Sequence, residues 1–225
     1  MARRTLLGVS AATLALFAGC IVSDQVTTLT IQPDGSADWV KFQSNIRSTE
    51  KGAKGAQELK QFVEEFDTHK DADYQQITQA GGVVLEARWL RREEPPANLI
   101  VAKFPNASVL QEFCTIKGEK GEVIAKARFT ENGKRRRFSI VVPVPKDEKP
   151  GEPATPTIKQ LRQDQANGIS ETRIVVPGGQ IVDSQGFTVA ADKRSALLEP
   201  AEIRSLFQSG REQVELFLEW ELAVN

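Results

Sequence analysis

The chain is poor in the side chains that catalysis uses most. Among 225 residues it holds one histidine, His69, and two cysteines, Cys20 and Cys114. His69 falls near the predicted end of an amphipathic helix, where a cation interacts well with the helix dipole, so a structural role is expected. Cys114 sits in VLQEFCTI, among apolar neighbours that favour a buried, inert thiol over a nucleophile. One histidine with one buried cysteine makes no zinc site. The acid pairs Asp71/Asp73 and Glu93/Glu94 lie in polar stretches and read as solvated charges, because catalytic carboxylates need burial or close pairing to tune them. KGAKGAQ at 51–57 lacks the spacing and the terminal Lys-Ser/Thr of a phosphate loop. No serine stands in a glycine-framed nucleophile elbow. The expectation is no catalytic residue, no metal, no cofactor, and a protein that is not an enzyme.

Cys20 invites a different chemistry. Leu6 to Gly19 is an uncharged run of 14 residues behind Arg3 and Arg4. A membrane-spanning helix needs roughly 20 apolar residues. A shorter run between a basic start and small residues is the pattern of a cleaved secretory signal. Here Ala18 and Gly19 lead directly into Cys20, which resembles the lipobox of bacterial lipoproteins, with Phe17 where leucine is usual. In a lipobox the cysteine thiol takes a diacylglycerol and the signal is cut just before it. Two or three acyl chains, at about 0.8 kcal/mol per buried methylene, hold a protein firmly on a bilayer. Ile21 follows in place of the aspartate that resembles an inner-membrane retention signal. The expected address is therefore the cell envelope, lipid-anchored, at an outer membrane and facing the periplasm or the cell surface.

The expected parts are a signal peptide at 1–19, a lipid-anchored tether at 20–26, and a single domain at 27–222. Loss of Arg3 and Arg4 lowers the basic count from 29 to 27, against 30 acidic residues. A net charge near −3 gives no overall field pointing to nucleic acid. A hydrophobic content of 40% is ordinary for a globular protein. With Cys20 acylated, Cys114 has no partner for an intramolecular disulfide.

Several elements must position whatever this domain binds. VTTLTIQPDGSADWVKF reads as strand, turn, strand, with the turn at Pro33-Asp34-Gly35. Leu59, Phe62, Val63 and Phe66 recur at helical spacing, predicting a helix of about 15 residues with Ser48 or Thr49 as its N-cap. A second short helix ends at Gly81-Gly82. Val83, Leu85, Ala87 and Trp89 alternate along a half-buried strand and share its inner face. LIVAKF makes another strand, and Asn106 caps a short helix. Residues 145–157, PKDEKPGEPATPT, read as a solvated, proline-rich loop. A helix with proline at its first position follows Glu199. The chain closes on VELFLEWEL, where Val214, Leu216, Leu218, Trp220 and Leu222 share one face.

Glu131-Asn132-Gly133-Lys134 is a hairpin signal, because Asn-Gly suits a two-residue turn. Pairing outward from Asn132-Gly133 sets Phe129 opposite Arg136, Ala127 opposite Phe138, Ala125 opposite Ile140 and Val123 opposite Val142. One face is then almost wholly apolar. On the other face Arg128 lies opposite Arg137, Lys126 opposite Ser139, and Thr130 opposite Arg135. Lys126, Arg128, Arg135 and Arg137 thus form a candidate contact for anionic headgroups or an acidic partner. The plainer alternative is a solvated face relieved by Glu119, Glu122 and Glu131.

The lipobox cysteine, the first hairpin turning at PDGS, and the late RIVVPGGQIVDSQG together resemble the LppM-like family of bacterial lipoproteins. Its members typically share an early strand–Asp-Gly-Ser–strand and a late strand ending in Pro-Gly before a short Asn/Gln-Gly turn. The resemblance implies one extracytoplasmic α+β domain, no established enzyme activity, and a link to envelope glycolipids. Members often carry a transmembrane helix after the domain; here Cys20 is expected to be the sole anchor. The fold expected is α+β, with antiparallel β-hairpins forming a twisted sheet and helices packed on one face. The function expected is a non-enzymatic envelope lipoprotein binding a lipid, a glycolipid or a partner protein. The alternatives are a structural component of a larger envelope assembly and a hydrolase of unknown class.

Overall fold

The computed structural model describes residues 21–118, 121–144, 170–207 and 211–223. The signal peptide, Cys20, Glu119 and the proline-rich stretch at 145–157 lie outside them. The fold is α+β, as expected, but its strands form two sheets rather than one. The first hairpin supplies β1 (Ile21–Ile31) and β2 (Ala37–Ser48). Asp34 makes its turn: its carboxylate accepts bonds from the Ser36 amide at 2.9 Å and the Ser36 hydroxyl at 2.7 Å, while Gly35 takes φ +77°. Those two bonds hold the Asp34 carboxyl below the usual carboxylate range. Two helices follow, α1 (Gly52–Asp67) and α2 (Ala72–Gln79), then β3 (Val83–Arg91) and β4 (Ala97–Phe104).

The middle of the chain gives α3 (Ala107–Cys114), β5 (Ile116–Lys117), β6 (Val123–Asn132) and β7 (Arg135–Pro143). Asn106 caps α3, accepting from the Val109 amide at 3.1 Å. Beyond the undescribed stretch come β8 (Ser170–Val175), β9 (Gly179–Gln185), β10 (Phe187–Val189), β11 (Ser195–Leu198), α4 (Pro200–Phe207) and β12 (Gln213–Leu222). The seven-stranded sheet runs β10-β11-β8-β1-β2-β4-β3, and the five-stranded sheet β5-β6-β7-β12-β9. The C-terminal third enters both: β8 lies parallel to β1, and β12 lies between β7 and β9.

One hydrophobic cluster takes side chains from the inner faces of both sheets, among them Leu29, Trp39 and Phe104 from the first and Phe138, Leu218 and Trp220 from the second. The helices complete it. Phe66 of α1 meets Trp89 at 4.6 Å between ring centres, and Phe113 of α3 stacks on Phe104 at 4.3 Å and meets Trp39 edge-on at 5.6 Å. Side chains near α3 also serve β6: Thr115 Oγ1 accepts from the Ala127 amide at 3.2 Å, and Gln111 Oε1 from the Phe129 amide at 3.1 Å. Strand amides facing away from β7 are thus satisfied by a helix and its cap.

Four expectations about local structure are corrected. Residues 21–26 are no tether, because β1 begins at Ile21. The N-cap of α1 is Lys51, with no side-chain capping bond, while the Ser48 hydroxyl accepts from the Glu50 amide at 2.9 Å. In β3 a bulge at Leu85 breaks the alternation, since Val84 pairs with Ala102 and Glu86 with Val101. Val83 and Leu85 therefore face solvent, and Val84 packs on the core with Ala87 and Trp89. Finally, the β6–β7 turn is Gly133-Lys134, and Asn132 pairs with Arg135. The positive φ, +56°, falls on Gly133 as the first turn residue, the place glycine takes in a type II′ hairpin.

Candidate functional site

The hairpin's two-residue register slip keeps every side chain on its expected face, because faces repeat with period two. Phe129 now opposes Phe138 and Ala127 opposes Ile140, so the apolar face is better matched than expected. On the outer face Arg128 opposes Ser139, Thr130 opposes Arg137, and Lys126 opposes Val141. Arg128 and Arg137 no longer face each other. The relief for these cations comes from β12, whose outward residues are Glu215, Phe217, Glu219 and Glu221. Arg135 pairs with Glu219 at 2.9 Å, and Arg137 bridges Glu215 at 3.0 Å and Glu219 at 3.4 Å. The Arg137 guanidinium also lies 3.6 Å from the centre of the Phe217 ring. Arg136, pointing the other way, pairs with Glu131 at 3.0 Å and donates to the Pro33 carbonyl at 2.9 Å, tying the two hairpin turns together. Lys126 and Arg128 are exposed and enter no ion pair among the described residues.

A second constellation was missed by sequence reasoning. Cross-strand rows on the inner face of the larger sheet become polar toward the Ile21 end. Ile31–Ala37–Phe104 and Leu29–Trp39–Ala102 are apolar; Thr27–Lys41–Ile100 and Gln25–Gln43–Asn98 follow. Lys41 is 3% exposed and its Nζ lies 2.7 Å from Asp73 Oδ2. Asp71, read from sequence as a solvated acid, is buried as the N-cap of α2, accepting from the Tyr74 amide at 3.0 Å. Among the described residues its other oxygen has no hydrogen-bond partner, nor has either amide atom of fully buried Asn98. Burial drives the Asp71 carboxyl up to about 6; the Tyr74 amide opposes that shift, neighbouring Asp73 adds to it, and Lys41 opposes it again. The legible signal was parity: in ADWVKFQ, Lys41 and Gln43 share the face of Trp39. The cluster holds charge inside the fold and braces α2 on the sheet.

The remaining candidates are structural. Cys114 is fully buried, which pushes its thiol up to about 12, far from a nucleophile's range. His69 lies just past α1 with φ +56° and stacks on Tyr74 at 4.5 Å. Glu93 and Glu94 are exposed. Among the described residues, no group of three or more His, Cys, Asp or Glu side chains could hold a metal ion, and no helix is long and apolar enough to cross a membrane.

No protein-family model matches the chain, and no curated protein does. Among solved structures, the chain is similar to the folded domain of LppM from Mycobacterium tuberculosis, determined by NMR. That similarity has 9% sequence identity and a TM-score of 0.43, over 93% of this chain and 95% of that one. A fainter similarity joins it to the Fcho1 mu homology domain of Danio rerio with a bound Eps15 peptide, at 8% identity and a TM-score of 0.18, over 92% and 81% of the two chains. Similarities this low assign neither family nor function.

Proposed function

We propose that the chain is a non-enzymatic lipoprotein of the bacterial cell envelope, anchored through acyl chains on Cys20. On this reading its α+β domain binds an anionic ligand, the headgroup of an envelope glycolipid or an acidic partner. The observation that carries it is the order of the first 21 residues: a basic start, a short uncharged run, small residues, Cys20, and then a folded strand with no spacer. A cleaved signal followed at once by structure leaves Cys20 as an anchor whose chains hold the domain at a bilayer. The hairpin supports the binding half of the proposal. With Arg135 and Arg137 already paired, Lys126 and Arg128 are the cations on the strands' outer face left to meet an anion, with Lys134 exposed in the turn beside them.

The test is expression with the native signal in a bacterial host, followed by membrane fractionation and intact mass measurement. A mass increased by acyl chains on a protein beginning at Cys20 is expected, and a mature protein without them overturns the anchor. Native extraction with mass spectrometry of co-purifying lipid and protein then tests the ligand class. Lys126→Gln with Arg128→Gln should release an anionic ligand while the melting temperature stays unchanged. Retention of that ligand by the double variant removes the hairpin from the proposal.

A further inference from the structure

The outer face of the seven-stranded sheet is apolar at its centre and joins no core among the described residues. Two cross-strand rows form it: Val26–Phe42–Leu99 and Thr28–Val40–Val101. Val26 is 40% exposed and the other five are partly buried, and none joins the hydrophobic cluster on the other side of the sheet. Charges frame the patch. Beyond β1 stands the Glu171–Arg173 pair of β8 at 3.2 Å, and beyond β4 the Glu86–Arg88 pair of β3. Asp38 and Lys103 form the next row toward the Pro33 turn. An apolar centre ringed by ion pairs suits a surface that enters the boundary between headgroups and acyl chains, with its charges held at headgroup depth.

What faces the patch follows from β1. Val26 lies on the strand that starts at Ile21, so it sits about 20 Å of extended chain from Cys20. With no tether between anchor and strand, the sheet cannot retreat from the bilayer that holds the acyl chains. It can only tilt about the Cys20–Ile21 joint. We propose that the Val26–Phe42–Leu99 and Thr28–Val40–Val101 face lies down on the bilayer surface that Cys20 anchors, making the sheet itself a second membrane contact. This rests on the anchor reading of Cys20 and adds an orientation to it. The domain is held flat, and Lys126 and Arg128, on the outer face of the other sheet, turn away from that bilayer, open to an acidic partner or to a headgroup presented from the far side.

The experiment uses Thr28→Cys carrying an environment-sensitive fluorophore, with Val182→Cys, exposed on the smaller sheet, as the remote control. Buried Cys114 and acylated Cys20 leave the new thiol as the site of labelling. The full chain, expressed with its signal and reconstituted in phosphatidylcholine–phosphatidylglycerol vesicles, is compared with an unlipidated mature form, Cys20→Ser expressed without residues 1–19. A blue shift at position 28, with a several-fold loss of quenching by a water-soluble quencher, is expected on vesicles and absent at position 182. Phe42→Asp should return the label to water, its folding checked by the melting temperature of the soluble form. A water-exposed label on protein whose mass shows acylated Cys20 overturns the flat orientation and leaves the anchor standing. A mass without acyl chains instead overturns the anchor, and this proposal with it. Protection of position 28 in the soluble form at every concentration means the chain covers its own face, and protection that grows with concentration means a second copy does. Either result overturns membrane contact.

Discussion

Asp71 shows what one residue's burial does to the whole molecule's response to pH. Its carboxyl titrates at about 6 in the fold, against 3.8 for the free group. The folded state therefore binds the proton more tightly than the unfolded chain. The associated stability is fully present below about pH 4, is lost as pH rises through about 6, and stays lost above it. A shift of that size corresponds to up to about 3 kcal/mol. Asp71→Asn keeps an N-cap acceptor for the Tyr74 amide, so the stability difference between wild type and variant should fall between pH 4 and 6 in urea titrations. A flat difference would show that the carboxyl is not perturbed. The neighbouring Lys41–Asp73 pair makes the opposite demand. Asp73→Asn should cost about 3–5 kcal/mol at pH 7, because it leaves a lysine inside the fold with its main counter-charge gone. Replacing both, Lys41→Met with Asp73→Leu, should recover much of that loss in the same unfolding assay.

Among the elements, the β6–β7 hairpin separates what local sequence specifies from what neighbours decide. Gly133 at φ +56° has open space where a Cβ would stand, so substitution there meets backbone strain alone. Gly133→Val should cost about 1–3 kcal/mol, and Gly133→Asn much less, because asparagine tolerates the left-handed region. Melting curves of the two variants distinguish strain from packing. The faces of β6 and β7 were readable because apolar residues alternate, whereas the turn residue was not, because registers two residues apart bury the same side chains. β12 pairs with the other edge of β7, where Glu215 and Glu219 meet Arg137 and Arg135. β3 failed for a related reason, since nothing in VVLEARWL marks Leu85 as the residue that bulges. Asp71 stayed hidden because a polar residue in a polar stretch gives no burial signal until the fold is packed around it, whereas Lys41 was betrayed only by its parity with Trp39.

Across the whole molecule, the chemistry proposed from consecutive residues is the lipobox-like start, which the position of Cys20 carries and fractionation can test. Cys20→Ser should shift the protein from the membrane fraction to an uncleaved precursor, or to a soluble exported form if another peptidase cuts it; immunoblots of the fractions read this directly. The single twisted sheet expected from the hairpins became two because β8 and β12, distant in sequence, insert beside β1 and β7. Only long-range pairing determines that, and the alternation within each strand is the same either way.

The place of β1 has a mechanical consequence. The strand that begins next to Cys20 is no edge: it is paired over ten positions with β2 on one side and six with β8 on the other. A pull along β1 from its Ile21 end loads those hydrogen bonds together in shear, instead of peeling them one at a time. Stretching the protein from Cys20 in a single-molecule trap should therefore need a markedly higher rupture force than pulling across the short pairing of β10 with β11, which spans three residues. If Cys20 carries the proposed acyl chains, a pull on the domain would be borne by this doubly paired strand.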